Sequence, residues 1–208
     1  MPSEVLNLLT QTGAILPNDH FVGTSGRHFD TYVNKDLLYP HTEATARIGE
    51  LMAENHRHLP IDVVAAPAMG GIILSQWTAW YLTKMVGKEI LGIYAEKKND
   101  VLTLTRGYDQ CVKNKNVLVI EDLTTTGGSL KTVIDVVKAA GGKVIASCVM
   151  VNKDPDLVTE ATFGVPFSAL AELRITSYEA SECPLCQQGV PVNTTIGHGK
   201  KFLEQQKQ

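Results

Sequence analysis

The chain has 208 residues, 44% of them apolar and 20% charged, the size and composition of one globular domain with a sizeable core. Its net charge of −3 leaves no basic excess to collect phosphates, which speaks against a nucleic-acid or membrane-surface binder. The longest apolar runs, such as VIASCVMV at 144–151, fall short of the roughly 20 residues a bilayer span needs, the N-terminus lacks the basic start and long apolar core of a leader, and four cysteines do not make a secreted disulfide framework, so the expectation is a cytoplasmic protein.

Residues 3–12 predict a short helix with Ser3 as N-cap. Residues 20–34 predict two short strands around a Ser-Gly turn. A helix is expected over about 40–56, with Pro40 near its first turn and Ala44, Ile48, Leu51 and Met52 at helical spacing. From there strands and helices alternate: strand 61–67, helix 71–87 closed by Gly87, strand 89–96, then an alternating stretch at 101–108 that suggests a hairpin or flexible arm. Strand 116–122 follows, then helix 129–142 with Ser129 as N-cap, strand 143–152, a short helix in 154–164 and a last strand in 165–173. This alternation implies an α/β fold, a mostly parallel sheet flanked by helices on both faces. The tail from 183 onwards changes character and looks peripheral.

The stretch VLVIEDLTTTGGSL at 117–130 carries the chemistry. In open α/β sheets ligands bind beyond the carboxyl ends of strands, and Glu121 and Asp122 stand at such an end. Gly127 and Gly128 let the backbone turn tightly and come close to a ligand. The following helix offers unpaired N–H groups and its positive end, and Thr124, Thr125, Thr126 and Ser129 add hydroxyl donors, which together make an anion site sized for a phosphate. The acids would repel a phosphate beside them but suit vicinal hydroxyls or a hydrated cation. The implied ligand is a sugar carrying a phosphate at one end. The patterns G-x-x-x-x-G-K-[ST] and G-x-G-x-x-G are both missing, which argues against a nucleotide triphosphatase or a dinucleotide-dependent dehydrogenase.

The nonapeptide EDLTTTGGS on an apolar strand resembles the phosphoribosyl pyrophosphate (PRPP) signature of type I phosphoribosyltransferases. TSGRHFDTYVNKD (24–36), PAMGG (67–71) and YAEKK…LTRGY (94–108) occur in the same order as in the orotate enzymes of that family, so the likeness covers roughly residues 15–155. The resemblance implies a single domain over 1–208: a small N-terminal hood (1–40), an α/β core (41–175) with a flexible hairpin arm, and a C-terminal tail (176–208). It implies that Glu121 and Asp122 hold the ribose hydroxyls, that Leu123 to Ser129 (with Thr124, Thr125, Thr126, Gly127 and Gly128) cradle the 5-phosphate, and that Ala68, Met69, Gly70 and Gly71 receive pyrophosphate. Lys97, Lys98 and Arg106 of the arm are the cations for the leaving group, with Asp122 and Lys97 as catalytic residues; Glu96 falls where many of these enzymes carry an arginine. Thr125, Lys153, Lys35 and Tyr32, with Val33 and Asn34 nearby, are placed at the base. Thr24 stands where some relatives have a lysine, and Lys153 where an arginine usually meets the orotate carboxylate, a change that keeps the charge but loses the bidentate fork.

The reaction so implied joins orotate to C1 of the ribose with release of pyrophosphate, giving orotidine 5′-phosphate for pyrimidine synthesis. Magnesium would be held mainly through PRPP oxygens rather than in a protein cage, and a homodimer is expected because the family's arm reaches across subunits. The alternatives are a salvage enzyme for another nucleobase and a non-catalytic PRPP sensor; a sensor that binds RNA would want a basic face, which this chain lacks. CPLC at 183–186 is a lone C-x-x-C. With His198 it offers three zinc ligands and Cys111 or Cys148 a fourth, but without a second C-x-x-C, zinc at Cys183/Cys186 ranks behind a pair of reduced thiols on a C-terminal turn. His20, His28, His41, His56 and His58 read as surface or packing residues, His28 drawing interest through its place in the hood.

Overall fold

The computed structural model describes residues 3–23, 25–99 and 101–205; Thr24 lies outside them. Helix α1 (Glu4–Gln11) starts at Ser3, whose hydroxyl accepts the Leu6 N–H at 3.3 Å. Four two-residue strands follow: β1 (Ile15–Leu16), β2 (Phe21–Val22), β3 (His28–Phe29) and β4 (Tyr32–Val33). They pair as two small antiparallel ladders, β1 with β4 and β2 with β3.

The core then unfolds in order: α2 (Thr42–His56), β5 (Val63–Pro67), α3 (Gly70–Val86), β6 (Leu91–Lys98), β7 (Val101–Thr103), α4 (Tyr108–Val112), β8 (Asn116–Thr124), α5 (Gly128–Ala139), β9 (Lys143–Asn152), α6 (Glu160–Phe163) and β10 (Phe167–Glu172). Two short helices, α7 (Pro184–Gln187) and α8 (Gly199–Gln205), lie in the tail. The six-stranded sheet runs β10-β9-β8-β5-β6-β7, parallel throughout except for β7, which turns back on β6 as a hairpin. This is the expected mostly parallel sheet between helical layers.

Side-chain alternation divides each central strand between two apolar clusters. Val64, Ala66, Leu118 and Ile120 pack with Ile48, Met52 and Leu74 on one face. Val63, Ala65, Val117 and Val119 pack with Leu130, Ile134, Val137 and Phe163 on the other. Burial on both faces is why β5 and β9 read as nearly unbroken apolar runs. Among the described residues no helix is long and apolar enough to cross a membrane.

Three details differ from expectation. Helix α2 begins at Thr42, leaving Pro40 outside it. The segment 154–164 forms only one helical turn, because Thr159 starts it through a reciprocal cap with Thr162 and Pro155 lies outside, in the preceding turn. Helix α5 is capped by Gly127 at φ +79° rather than by Ser129, which sits inside the first turn.

Candidate active site

Strand order places the site. The β5–α3–β6 crossover moves one way across the sheet and β8–α5–β9 the other, so the order reverses between the adjacent strands β5 and β8. The loops leaving those two strands, 68–69 and 125–127, therefore flank one crevice at the carboxyl edge. These are the two glycine loops marked by motif, and the structure brings them together.

The loop after β8 is closed by its own side chains. The Gly127 N–H donates to Thr124 Oγ1 at 2.9 Å. A side chain at Gly127 would need a left-handed backbone and would meet the Phe163 ring at 3.0 Å, so only glycine fits both demands. Helix α5 then opens with its first-turn N–H groups toward the crevice.

Because Glu121 and Asp122 are consecutive in a strand, their side chains leave opposite faces. Glu121 turns toward α5, where the Leu130 N–H serves its carboxylate. Burial first, then the neighbouring Asp122, pushes its carboxyl up to about 8. Asp122 faces the other layer and is braced there. Tyr39 donates its hydroxyl to Asp122 Oδ2 at 3.0 Å, Lys35 Nζ stands 3.6 Å from the same oxygen, and the Leu123 N–H donates to Oδ1 at 2.6 Å. Burial still raises the Asp122 carboxyl above its ordinary range, against the pull of Lys35, Leu123 and Tyr39. Burial opposes the Lys35 ammonium, but Asp122 and Asp36 hold its pKa above the usual value. A buried acid pair that remains partly desolvated suits hydroxyl groups or a hard cation.

The two loops touch through this acid. A Cβ on Gly70 would lie 1.8 Å from Asp122 Oδ2, and one on Gly71 would lie 2.6 Å from the Ala66 Cβ. The backbone at Gly70 thus approaches the carboxylate too closely for any side chain there. The Ala68–Met69 peptide is cis, and the Ala68 N–H donates to Ala95 O at 2.7 Å, fastening this loop to β6. Met69 is exposed.

The arm is the β6–β7 hairpin, in which Glu96 faces Thr103 and Lys98 faces Val101. Lys97 and Lys98 are exposed at its tip. Arg106 is engaged within the arm: its Nε and Nη2 donate to Glu96 at 3.1 and 3.3 Å, and Thr105 donates to the same carboxylate. The acid that stands in place of an arginine thus holds the arm's own arginine.

Beside the β8 loop opens a cavity of about 380 Å³ between the hood and the sheet edge. Tyr32, Val33, Thr125 and Lys153 line it, as does Thr126. Burial holds the Lys153 ammonium below the usual lysine range, with Asp122 working against that shift. Lys35 does not line this cavity; it reaches Asp122 instead. Arg27 and His198 do line it, although no motif marks either for the role. Arg27 donates through Nε to Ser177 Oγ and through Nη2 to Ser177 O, and pairs with Glu179 at 2.5 Å.

The tail is not peripheral. Residue Tyr178 exchanges both backbone hydrogen bonds with His28, Asn193 N–H donates to His20 O, and His198 N–H donates to Val22 O. His198 lies at the cavity rather than with Cys183 and Cys186, so the ligand set weighed from spacing, and ranked there behind reduced thiols, is not the one the fold assembles. His20 and His28 take that position beside the two cysteines. Cys148 is buried in β9, within the core. Neither spacing nor composition could have chosen His20 and His28, since the contacts are set by the tail's path over the hood.

Comparison with known proteins bears on this geometry. The phosphoribosyl transferase domain model matches residues 35–160. The orotate phosphoribosyltransferase of Caldanaerobacter subterraneus subsp. tengcongensis is 36% identical over 178 residues, 86% of this chain and 88% of that protein. That of Thermotoga maritima is 35% identical over 198 residues, 95% of this chain and 100% of its own length. The crystal structure of Mycobacterium tuberculosis H37Rv orotate phosphoribosyltransferase in complex with Fe(III) dicitrate superposes with a TM-score of 0.65 at 23% identity, covering 82% of this chain and 95% of that one.

Proposed function

The chain belongs to the phosphoribosyl transferase family, and from that premise we propose that it transfers the 5-phosphoribosyl group of PRPP to orotate, forming orotidine 5′-phosphate and pyrophosphate. The observation that carries the reading is the contact between Gly70 and Asp122. It sets a pyrophosphate-type loop against a buried carboxylate, next to a phosphate-type loop and a cavity with a half-buried lysine.

Each part has a physical task. The 5-phosphate rests on the N–H groups and hydroxyls of 124–129 at the start of α5. The ribose hydroxyls donate to Asp122 and Glu121, relieving two carboxylates that the fold has stripped of water. The pyrophosphate takes the backbone of 68–71. As the bond to C1 breaks, positive charge grows on the ribose ring and negative charge on the leaving group. The acid pair faces the first, and Lys97 and Lys98 of the closing arm face the second. Closure of the arm also excludes water, which would otherwise hydrolyse the ribosyl group. Orotate enters the cavity with its ring near Tyr32 and Thr125 and its carboxylate toward Lys153, whose half-buried ammonium is favoured by Asp122. Lys35 acts on the ribose side, by holding Asp122 ionised and in place. Mg²⁺, a hard cation, would be held mainly by PRPP itself, with Asp122 and Glu121 as the hard oxygen donors this chain could add, and would supply positive charge for the departing pyrophosphate.

The domain divides functionally into hood (1–40), core (41–175) and tail (176–208), and it works in the cytoplasm as a homodimer. Ile73 and Trp80, exposed on the same face of α3 two helical turns apart, together with Met69, form the apolar strip that supports pairing.

The test is direct. The protein is incubated with PRPP, Mg²⁺ and orotate while orotate absorbance is followed, and the assay is repeated with uracil, adenine, hypoxanthine and xanthine. Loss of absorbance with orotate is expected. Turnover with a purine alone would overturn the orotate reading, and no turnover with any base would overturn the enzyme reading.

A further inference from the structure

We propose that His20, His28, Cys183 and Cys186 bind one zinc ion, which pins the C-terminal tail onto the hood. The four donor atoms come from three separated segments, yet all lie within 4.8 Å of one another. Cys183 and Cys186 Sγ are each 3.7 Å from His20 Nε2, Cys186 Sγ is 3.4 Å from His28 Nδ1, and the two imidazole nitrogens are 2.8 Å apart. Tetrahedral zinc with bonds of about 2.0–2.1 Å to nitrogen and about 2.3 Å to sulfur requires donor separations of about 3.3–3.8 Å. The sulfur–nitrogen distances fall within that range, and the imidazole pair needs to open by only half an ångström or so.

The surroundings fit a ligand set rather than a packed polar cluster. His20 Nδ1 donates to Val190 O at 2.7 Å, which leaves the Nε2 lone pair aimed at the cysteines, the usual arrangement of a metal-bound imidazole. His28 faces the same point with Nδ1, while its Nε2 is buried without a hydrogen-bond partner, its ring set edge-on against Phe202. Without a cation, one hydrogen shared between the imidazoles and weak sulfur contacts are what hold the four converging donor atoms, on residues of which three are buried. Such a cluster is costly unless a partner satisfies the converging lone pairs. The donor set selects the ion: two thiolates and two imidazoles with no carboxylate favour zinc and exclude magnesium or calcium. Cys186 is exposed, which gives the ion a path in.

The backbone frames each ligand independently. His28 exchanges two hydrogen bonds with Tyr178, His20 is tied to Asn193, and Cys183 leads the turn of α7, where its carbonyl accepts the Gln187 N–H at 3.1 Å. Arg27 and Phe29, on either side of His28, line the large cavity. The ion therefore stabilises a wall of that cavity while standing apart from the acid pair.

The full chain, purified without a histidine tag under reducing conditions from zinc-supplemented medium, should contain one zinc per chain by mass spectrometry of the metal. A mercurial thiol reagent should release it, and chelation should lower the melting temperature. The Cys183→Ser/Cys186→Ser variant should lose the metal. Should that variant fail to fold, Co²⁺ titration of the metal-stripped wild-type chain remains decisive: tetrahedral thiolate-to-cobalt absorption bands are expected. Zinc-free protein with no such bands, undiminished zinc in the double variant, or a mass two hydrogens short from a Cys183–Cys186 disulfide would each overturn the site. None of these readouts depends on which base the protein accepts.

Discussion

Two seams of the molecule bury polar groups, and they do so with opposite chemistry. At the end of β8, two carboxylates adjacent in sequence are held by Lys35, Tyr39 and backbone N–H groups. At the hood–tail seam, two imidazoles and two thiols separated by up to 166 positions converge on one point. Hard oxygens call for hydroxyls, a phosphorylated sugar or Mg²⁺; soft nitrogen and sulfur donors call for zinc. The first seam is therefore a place where ligands come and go, and the second a place where an ion stays. The arm differs from both: its lysines are exposed and its arginine is paired to its own Glu96, so the lysines carry its free positive charge.

The largest effect should separate the two seams outright. Asp122→Asn with Glu121→Gln should lower kcat/KM for PRPP by about 10³-fold or more while the fold persists, because charge that forms on the ribose ring loses its partners. Unchanged turnover would remove the role given to the acids. Gly70→Ala comes next. Its Cβ must displace the Asp122 carboxylate, and an ångström of misplacement costs about 10²-fold in kcat/KM; normal kinetics would mean that the loop and the acid do not act together.

Lys97→Ala tests the arm. With Lys98 beside it to share the charge, a fall in kcat of about tenfold, or about 1.4 kcal/mol, is expected with no change in melting temperature. A rise in KM alone would reassign Lys97 to ground-state binding.

A smaller effect concerns protons. In the ligand-free protein burial, and then the neighbouring Asp122, push the Glu121 carboxyl up to about 8 from an ordinary 4.5. Its contribution to stability is whole below the unfolded value and is lost as pH rises toward and through the folded one. The melting temperature of the wild type should therefore decline relative to Glu121→Gln across that window; parallel curves would show that the acid is not desolvated. The smallest expected change is for Glu96→Gln, which frees an exposed Arg106 and should leave the melting temperature where it is while altering the salt dependence of KM for PRPP.

Much of this molecule is written locally. Apolar runs bounded by glycine, and alternation of strand and helix, yield the parallel sheet, because side-chain periodicity and burial on two faces leave few other solutions. EDLTTTGGS and PAMGG declare anion loops in a handful of contiguous residues, since a tight turn and a helix start need only neighbours in the chain. What local sequence does not contain is direction and distance. That Glu121 and Asp122 face opposite layers follows from strand geometry, but that Lys35 serves Asp122 rather than the cavity depends on where the 3₁₀ turn at Lys35–Leu37 crosses the sheet. Arg27 and His198 enter the cavity wall only because the tail folds back over the hood. The same return path swaps His198 for His20 and His28 beside CPLC. Composition and spacing determined the sheet, the two loops and the arm, since each is a matter of near neighbours; the tail's route, and with it the cavity wall and the soft-donor cluster, was decided by tertiary packing, because contacts between residues more than 150 positions apart leave no periodic trace in the chain.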